Sequence, residues 1–338
     1  MGDSDETTET TETTDLGILD RAVARVDLNA PLLGGREVIV ATGADRIRFL
    51  HGLVTGNVAG TPVGSGTRSL LLTTKGHIVS DLHVFVRTDD LWMVVPGGQA
   101  ETAASSLSRY AIMDDFTAVP RPEMTLMALL GPGASAALAA AGVPPGDLAA
   151  APVLSHAEVR GSDHTFWLVR VRALGRDGFW IGGSSDASAA LDQRLTAAGI
   201  PTLAPVTAEV ARIAALEPKW GNEITADYFP MEVGLSGAID YAKGCYLGQE
   251  PIVRIRDRGH INWRLVGLDI EGATDPTPSD RLETDAKPKA GRITSTARLA
   301  DGRGVALGLL HVSVPVGSGL RVQHGDVAIA ATVRAEVL

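Results

Sequence analysis

The stretch Lys243-Gly244-Cys245-Tyr246-Leu247-Gly248-Gln249-Glu250 contains the only cysteine of this 338-residue chain. Two glycines close to the cysteine allow a tight backbone turn and the close approach of a ligand or partner. Lys243 and the arginines that follow the stretch make the surroundings positive, and positive charge lowers the pKa of a thiol. The pattern predicts that Cys245 is a working thiol, as nucleophile, redox group or single metal ligand.

The competing interpretation treats Cys245 as a small buried hydrophobe, which is the commoner use of a free cysteine. The nearby glycines disfavour a core helix, and the charges at both ends of the stretch disfavour a core strand. One cysteine excludes an internal disulfide and a zinc site built from cysteines alone, and iron–sulfur clusters need about four ligands. We therefore predict no metal site within this chain, and a role with a cluster would require a partner.

The same eight residues resemble the signature of the YgfZ family of folate-binding proteins. That family is related to the glycine-cleavage T-protein, an aminomethyltransferase, and to mitochondrial factors that help to mature iron–sulfur proteins. Segments 49–58, 73–82 and 212–224 are also similar to the family, so the resemblance covers roughly residues 16–338. It implies tetrahydrofolate or another reduced folate as ligand, a role in the assembly or repair of iron–sulfur proteins, and the assembly machinery or client proteins as partners.

The resemblance also implies two acidic site residues. Asp81, after a hairpin turn, would face the folate and assist aminomethyl transfer, and its pKa should rise if it lines a hydrophobic pocket. Glu217 would accept both N–H donors on the amino-amide edge of a pterin, as a charge-assisted bidentate pair. Glu223 and Glu232 are competing choices for that role. The alternative for Asp81 and Glu217 is an exposed position at the end of a strand or helix.

In the same hypothesis Lys243 lowers the pKa of Cys245. Arg254, Arg256 and Arg258 alternate at a spacing of two, so on a strand they would share one face. Such a row suits the glutamate tail of a folate, whose carboxylates pair well with arginine. The alternative interpretation of these arginines is an exposed face that points toward solvent or an acidic partner. Tyr228 is a candidate to stack on the flat ring, although core packing is the commoner use of such a side chain.

Charge and hydropathy narrow the functional classes. The first fifteen residues hold six acids and no lysine or arginine, which predicts a disordered acidic tail over 1–15. Without that tail the net charge of −10 becomes −4, and a mildly acidic body disfavours nucleic-acid binding. The chain shows neither a signal peptide at its start nor an apolar run long enough to span a bilayer. We expect a cytoplasmic protein without membrane contact.

The predicted elements indicate an α+β fold. The order strand–helix–strand–strand–helix occurs twice, over approximately 37–120 and 121–205, which predicts two related units with antiparallel sheets. Tight turns between the paired strands disfavour a parallel α/β arrangement. Residues 217–264 lack regular periodicity, as functional loops do. Five short strands within 261–338 predict a small antiparallel barrel. The resemblance implies that 16–260 form a T-protein-like folate-binding region, with ferredoxin-like units around a central opening.

Three functions are consistent with these observations, and the sequence does not decide whether the protein is an enzyme. The first is a tetrahydrofolate-binding accessory protein for iron–sulfur proteins that acts through the cysteine motif. The second is a folate-dependent aminomethyl or methyl transferase, which Asp81 favours and the sequence around Cys245 disfavours. The third is a tRNA-modification accessory protein, which predicts salt-sensitive binding through the basic segment 254–264.

Overall fold

The computed structural model describes residues 12–13 and 15–337. Residues 1–11 and 14, most of the predicted acidic tail, lie outside the described residues. Within the remainder of that segment β1 (Glu12–Thr13) forms a two-residue strand, followed by α1 (Ile18–Arg21) and β2 (Ala24–Asp27). Residues 12 and 13 of the segment predicted to be disordered thus form regular structure.

One antiparallel sheet contains five strands: β3 (Arg36–Thr42), β4 (Ser65–Leu72), β5 (Ile78–Val86), β6 (Leu91–Pro96) and β7 (Thr117–Pro120). Their order in the sheet is β4-β5-β6-β3-β7. Helices α2 (Arg46–Leu53) and α3 (Ala100–Ser108) cover its outer face over a buried cluster that includes Leu50, Met93 and Leu107. Successive strand residues point to opposite faces, so the other face of the sheet is free to bury a second apolar set.

The second sheet has seven strands and receives β1 and β2 from the start of the chain. Its other strands are β8 (Met124–Leu130), β9 (His156–Arg160), β10 (Thr165–Ala173), β11 (Arg176–Ser184) and β12 (Thr202–Leu203). The order is β1-β12-β2-β8-β11-β10-β9, and β12 pairs in parallel with β1 and β2. Helices α4 (Ala134–Ala140) and α5 (Ser185–Ala197) cover the outer face, and α6 (Pro205–Ala214) follows β12.

The two sheets pack face to face. Val38, Val40 and Phe85 of the five-stranded sheet share one buried cluster with Trp167 and Trp180 of the seven-stranded sheet. The rings of Phe85 and Trp167 meet edge to face with centroids 4.8 Å apart, an arrangement that aromatic pairs prefer. The predicted α+β class, with mainly antiparallel sheets, is confirmed.

A closed antiparallel barrel forms the C-terminal part of the chain. Its strands are β13 (Trp263–Ile270), β14 (Arg281–Glu283), β15 (Gly291–Arg298), β16 (Gly304–His311), β17 (Gly319–His324) and β18 (Val327–Glu336). The barrel is confirmed, but the prediction of five strands is wrong. The missed strand, β14, has only three residues and lies in a loop rich in proline, serine and aspartate, too short to show a period of two.

The segment between α6 and the barrel is less irregular than predicted. It contains the single-turn 3-10 helices Pro230–Val233 and Ser236–Ala238 and then α7 (Gln249–Arg258). Pro251 lies in the first turn of α7, where a helix tolerates the missing N–H. The expectation that Arg254, Arg256 and Arg258 share a strand face is therefore wrong, because residues two apart on a helix point about 200° apart.

No helix among residues 12–13 and 15–337 combines the length and the hydropathy needed to cross a membrane.

Candidate functional site

A cavity of about 220 Å³ lies where the two sheets meet the residues that follow α6. Its apolar wall is formed by Val26, Leu28, Leu33, Leu130, Ala173, Leu174, Trp180 and Pro218, and its polar wall by Arg36, Arg68, His83, Arg172, Arg212, Glu217 and Lys219. The wall thus combines flat apolar surface with five basic side chains and one carboxylate. Such a cavity suits a ring with hydrogen-bonding groups on its edges.

Glu217 is fixed at the cavity wall by its backbone and by one carboxylate oxygen. Leu216, just beyond α6, takes a left-handed φ of 62°, which turns the chain. Arg212 Nη1 donates to the carbonyl oxygen of Glu217 at 2.5 Å, and Glu217 Oε1 accepts from the N–H of Gly175 at 2.9 Å. A carboxylate offers about four lone-pair sites, so most of its accepting capacity remains for a ligand.

The two competing glutamates are used by the fold itself. Glu223 is fully buried and accepts from Arg212, from Ser295 Oγ at 2.6 Å and from the N–H of Lys219 at 2.9 Å. Glu232 accepts from backbone N–H groups, at 3.1 Å from Phe229 and at 3.3 Å from residues 262 and 263. Of the three glutamates, Glu217 is the one that lines the cavity.

Asp81 on β5 is buried beside the cavity, but Arg68 on β4 occupies its carboxylate. Arg68 Nε donates to Oδ1 at 3.0 Å and Nη2 donates to Oδ2 at 2.7 Å, a bidentate pair. Burial alone would raise the pKa of Asp81, but the charge and hydrogen bonds of Arg68, helped by His83 and Arg36, lower it to about 2. The condition for a raised pKa, a hydrophobic pocket around Asp81, is not met, because the buried carboxylate is paired with an arginine.

His83 and Arg36 are cavity residues that sequence reasoning missed. His83 lies directly opposite Arg68 in the β4–β5 register, and its ring meets Trp180 edge-on at 5.0 Å. Burial lowers the pKa of His83 to about 3, against the opposing charge of Asp81, so the imidazole is neutral. Its spacing of two from Asp81 on one strand could have revealed it. Arg36 carries no such signal, because only the fold brings β3 to this cavity.

Three predicted ligand contacts lie away from the cavity. Arg254 is exposed on α7 and pairs with Glu250 at 2.7 Å, while Arg256 pairs with Asp257. Tyr228 packs beside the barrel, where Arg292 Nε donates to its hydroxyl at 3.3 Å. The arginines that line the cavity are instead Arg36, Arg68, Arg172 and Arg212.

Cys245 is exposed and lies outside the cavity lining, which excludes the interpretation as a buried hydrophobe. The two glycines beside it have different roles. Gly248 has a φ of 78°, and a Cβ there would lie 2.3 Å from the carbonyl oxygen of Thr73, so the fold requires glycine. A Cβ on Gly244 would meet nothing within 4 Å. Gly244 therefore leaves open space beside the thiol, and internal packing does not require a glycine at this position.

Lys243 does not point its ammonium at the thiol. Lys243 Nζ donates to the carbonyl oxygens of His51, Val54 and Gly56 at 2.5, 2.6 and 2.8 Å. An ammonium has three protons, so these bonds fill its donor capacity. The polypeptide backbone thus takes all three donors of Lys243. That Lys243 lowers the pKa of Cys245 stays a prediction.

Comparison with known proteins places the chain in a family. Residues 36–243, more than half of the chain, match the family model described as the GCVT N-terminal domain. The chain therefore belongs to the GCVT N-terminal domain family, and the resemblance to YgfZ proteins and glycine-cleavage T-proteins is confirmed at the level of this superfamily.

Relatives from several organisms span most of the chain. A tRNA-modifying protein YgfZ from Yersinia enterocolitica is 23% identical over 291 residues, covering 85% of each chain. An aminomethyltransferase from Thermosynechococcus vestitus is 25% identical over 87% of this chain and 80% of its own length. The chloroplastic protein At1g60990 of Arabidopsis thaliana is 25% identical over 86% of this chain, which spans only 65% of that protein.

A solved structure has the same fold. The glycine cleavage system aminomethyltransferase T from Bartonella henselae superposes with a TM-score of 0.82, covering 93% of this chain and 85% of its own. Its sequence identity to this chain is 22%. The predicted T-protein-like fold, with sheets followed by a barrel, is thereby confirmed.

Proposed function

We propose that this protein binds a reduced folate, tetrahydrofolate or a derivative, with the pterin ring in the cavity and its N–H edge against Glu217. The observation that carries the proposal is the Glu217 carboxylate, held in the cavity wall with accepting capacity to spare. Two N–H groups on one carboxylate make a strong and directional pair. Membership of a family that includes aminomethyltransferases and YgfZ proteins supports the same ligand class.

The remaining wall suits a pterin ring. Trp180, Leu130 and Val26 provide apolar surface for a flat ring, and Arg36 and Arg68 provide donors for its carbonyl oxygen. At about 220 Å³ the cavity is smaller than the roughly 300–1,000 Å³ typical for whole drug-sized ligands, so the tail of the folate would lie outside it. When bound, a reduced folate supplies nitrogen atoms that carry one-carbon groups.

The geometry favours an accessory protein over an aminomethyltransferase. The pairing with Arg68 keeps the pKa of Asp81 at about 2, far below the range in which a carboxylate is an effective general base near neutral pH. We therefore expect no turnover of a methylamine donor with tetrahydrofolate. Turnover that is lost in Asp81→Asn would establish the transferase instead.

Cys245 is the proposed working group in the assembly or repair of iron–sulfur proteins. Its thiol is exposed beside the open space at Gly244, so a large partner can reach it. No cluster of three His, Cys, Asp or Glu residues suited to a metal ion occurs in the described part of the chain. In this role the iron–sulfur cluster is therefore cargo, and the assembly machinery or a client protein supplies the other ligands.

Complementation of a deletion strain tests the role of the thiol. Cys245→Ala is expected to fold and to bind folate like the unchanged protein, yet to lose rescue of iron–sulfur enzyme activity. Gly237→Ala, at another glycine whose added Cβ meets nothing within 4 Å, is a matched control that should retain rescue. Full rescue by Cys245→Ala would contradict the role of the thiol.

The tRNA-modification function draws its support from the name of the Yersinia relative. The basic residues predicted to carry it are largely neutralised on α7, where three arginines share the helix with Glu250 and Asp257. We expect no RNA binding that weakens steeply with salt.

A cytoplasmic location stays a prediction.

A further inference from the structure

The buried side chain of Lys243 ends in a cage of backbone carbonyls. His51 and Val54, two of its three acceptors, lie in the last turn and at the C-terminal end of α2. The final carbonyls of a helix lack intrahelical partners, and the helix dipole makes that end negative. A compact ammonium with three donors suits three converging carbonyl oxygens, whereas a planar guanidinium does not.

Further bonds attach the same turn to residues 51–56 on both sides of Cys245. The N–H of Asp240 donates to the carbonyl oxygen of Thr55 at 3.0 Å, and the N–H of Leu247 donates to that of Gly52 at 3.2 Å. Asp240 Oδ1 accepts from the N–H of Lys243 at 3.1 Å. The exposed Cys245 therefore lies in the middle of a turn that is anchored before and after it.

We propose that Lys243 is a positioning residue: its ammonium closes the C-terminal end of α2 and fixes the turn that presents Cys245, rather than activating the thiol. The inference rests on the proposed function, in which Cys245 is the working thiol. In this role the lysine holds the turn in place, which requires both the charge and the shape of its ammonium group. Fixing the turn keeps the sulfur at one place on the surface, which lowers the entropic cost of meeting a partner.

Two readouts separate positioning from activation. Backbone hydrogen exchange at Asp240 and Leu247 reports the anchoring, and the midpoint of the pH profile for alkylation of Cys245 by iodoacetamide reports the thiol pKa. In Lys243→Ala we expect exchange at both amides to rise about 10- to 100-fold, as expected for lost charge-assisted hydrogen bonds. The alkylation midpoint should stay within about 0.3 pH units, about a twofold change in the ionisation constant of the thiol, because the ammonium bonds backbone carbonyls and not the sulfur.

Chemical rescue makes the test specific. Propylammonium, the fragment removed by Lys243→Ala, should restore protection at Asp240 and Leu247, while propanol with sodium chloride of equal ionic strength should not. Lys243→Arg keeps the charge and covers the case in which the alanine variant fails to fold. Positioning predicts that Lys243→Arg loosens the turn, and activation by charge predicts that it behaves like the unchanged protein.

An alkylation midpoint raised by a full unit with exchange unchanged would overturn the proposal, as would normal protection in both variants. These measurements need neither folate nor a cluster. The measurements can therefore still be interpreted if Cys245→Ala retains full rescue, a result that would remove the proposed role of the thiol and not the anchoring of the turn.

Discussion

Asp81 illustrates how a single neighbour decides what a carboxylate can do. Asp81 is buried, and the family resemblance implies that it faces the folate, yet Arg68 holds it in a bidentate pair with a pKa of about 2. His83, opposite Arg68, is held neutral by burial. On the proposed function, the polar wall of the cavity binds the ligand through Glu217, and neither Asp81 nor His83 exchanges a proton near neutral pH.

His83 gives the stability a pH dependence whose sign follows from its pKa. Burial lowers that pKa from 6.5 to about 3, so between these values the unfolded chain binds the proton more tightly than the folded protein does. Stability should fall as the pH drops below about 6.5, with a contribution from His83 of at most about 1.4 kcal/mol per pH unit. Urea unfolding at pH 7.5 and 5.0 should show a smaller loss for His83→Phe, which keeps an aromatic ring against Trp180. An equal loss in both proteins would contradict a neutral His83.

At the scale of elements, the turn that carries Cys245, residues 240–248, joins α7 to the β4–β5 hairpin. Gly248 lies just before α7 and contacts Thr73 at the end of β4, and the strands of that hairpin carry Arg68 and Asp81. The thiol and the cavity are separate sites, but one hairpin supports both.

Substitution by alanine should affect the free energy of unfolding differently at the two glycines beside Cys245. Gly248→Ala forces a Cβ to within 2.3 Å of a backbone oxygen at a left-handed φ, and we expect a loss of about 2 kcal/mol or more in the free energy of unfolding. Gly244→Ala, its matched control, should change stability by less than about 0.5 kcal/mol. Denaturant titration of both variants measures the difference. Equal stabilities would show that the Gly248 turn is not held as described.

Several elements could be predicted from sequence because their signals are local. The helix at residues 46–53 and the hairpin of β4 and β5 follow from period and turn residues. The sequence did not predict helix α7, because it is rich in charged residues and contains a proline, so its few apolar residues show no clear helical period. Glu217 came from a family resemblance, whereas Arg36 and Arg172 could not be found at all, since nothing in the sequence says which strands share a cavity.

At the scale of the whole molecule, Arg212 ties three parts of the fold together. From α6 its guanidinium bonds to Glu209, to the loop residues Glu217 and Glu223, and to Ser295 in the barrel at 2.8 Å. A buried arginine with all its donors satisfied fixes geometry as well as adding stability. The position of Glu217 in the cavity therefore depends on how the barrel docks on the sheets.

Removing this arginine should be costly. Arg212→Met leaves the buried Glu223 without its counterion and leaves Glu209 with Lys219 alone, for which we expect a loss of about 3–5 kcal/mol in the free energy of unfolding. Arg254→Met, at an exposed pair on α7, should cost less than about 1 kcal/mol. Chemical denaturation of the two variants tests this, and a small effect at Arg212 would mean that the network does not hold the barrel to the sheets.

Calorimetric titration of tetrahydrofolate into the purified protein tests the central claim most directly. We predict binding in the micromolar range that Glu217→Ala weakens about 10- to 150-fold, as expected for the loss of charge-assisted hydrogen bonds. Glu123→Ala, the same change at an exposed glutamate outside the cavity lining, should leave the affinity unchanged. Equal affinity for Glu217→Ala, or no binding of any reduced folate by the unchanged protein, would contradict the account.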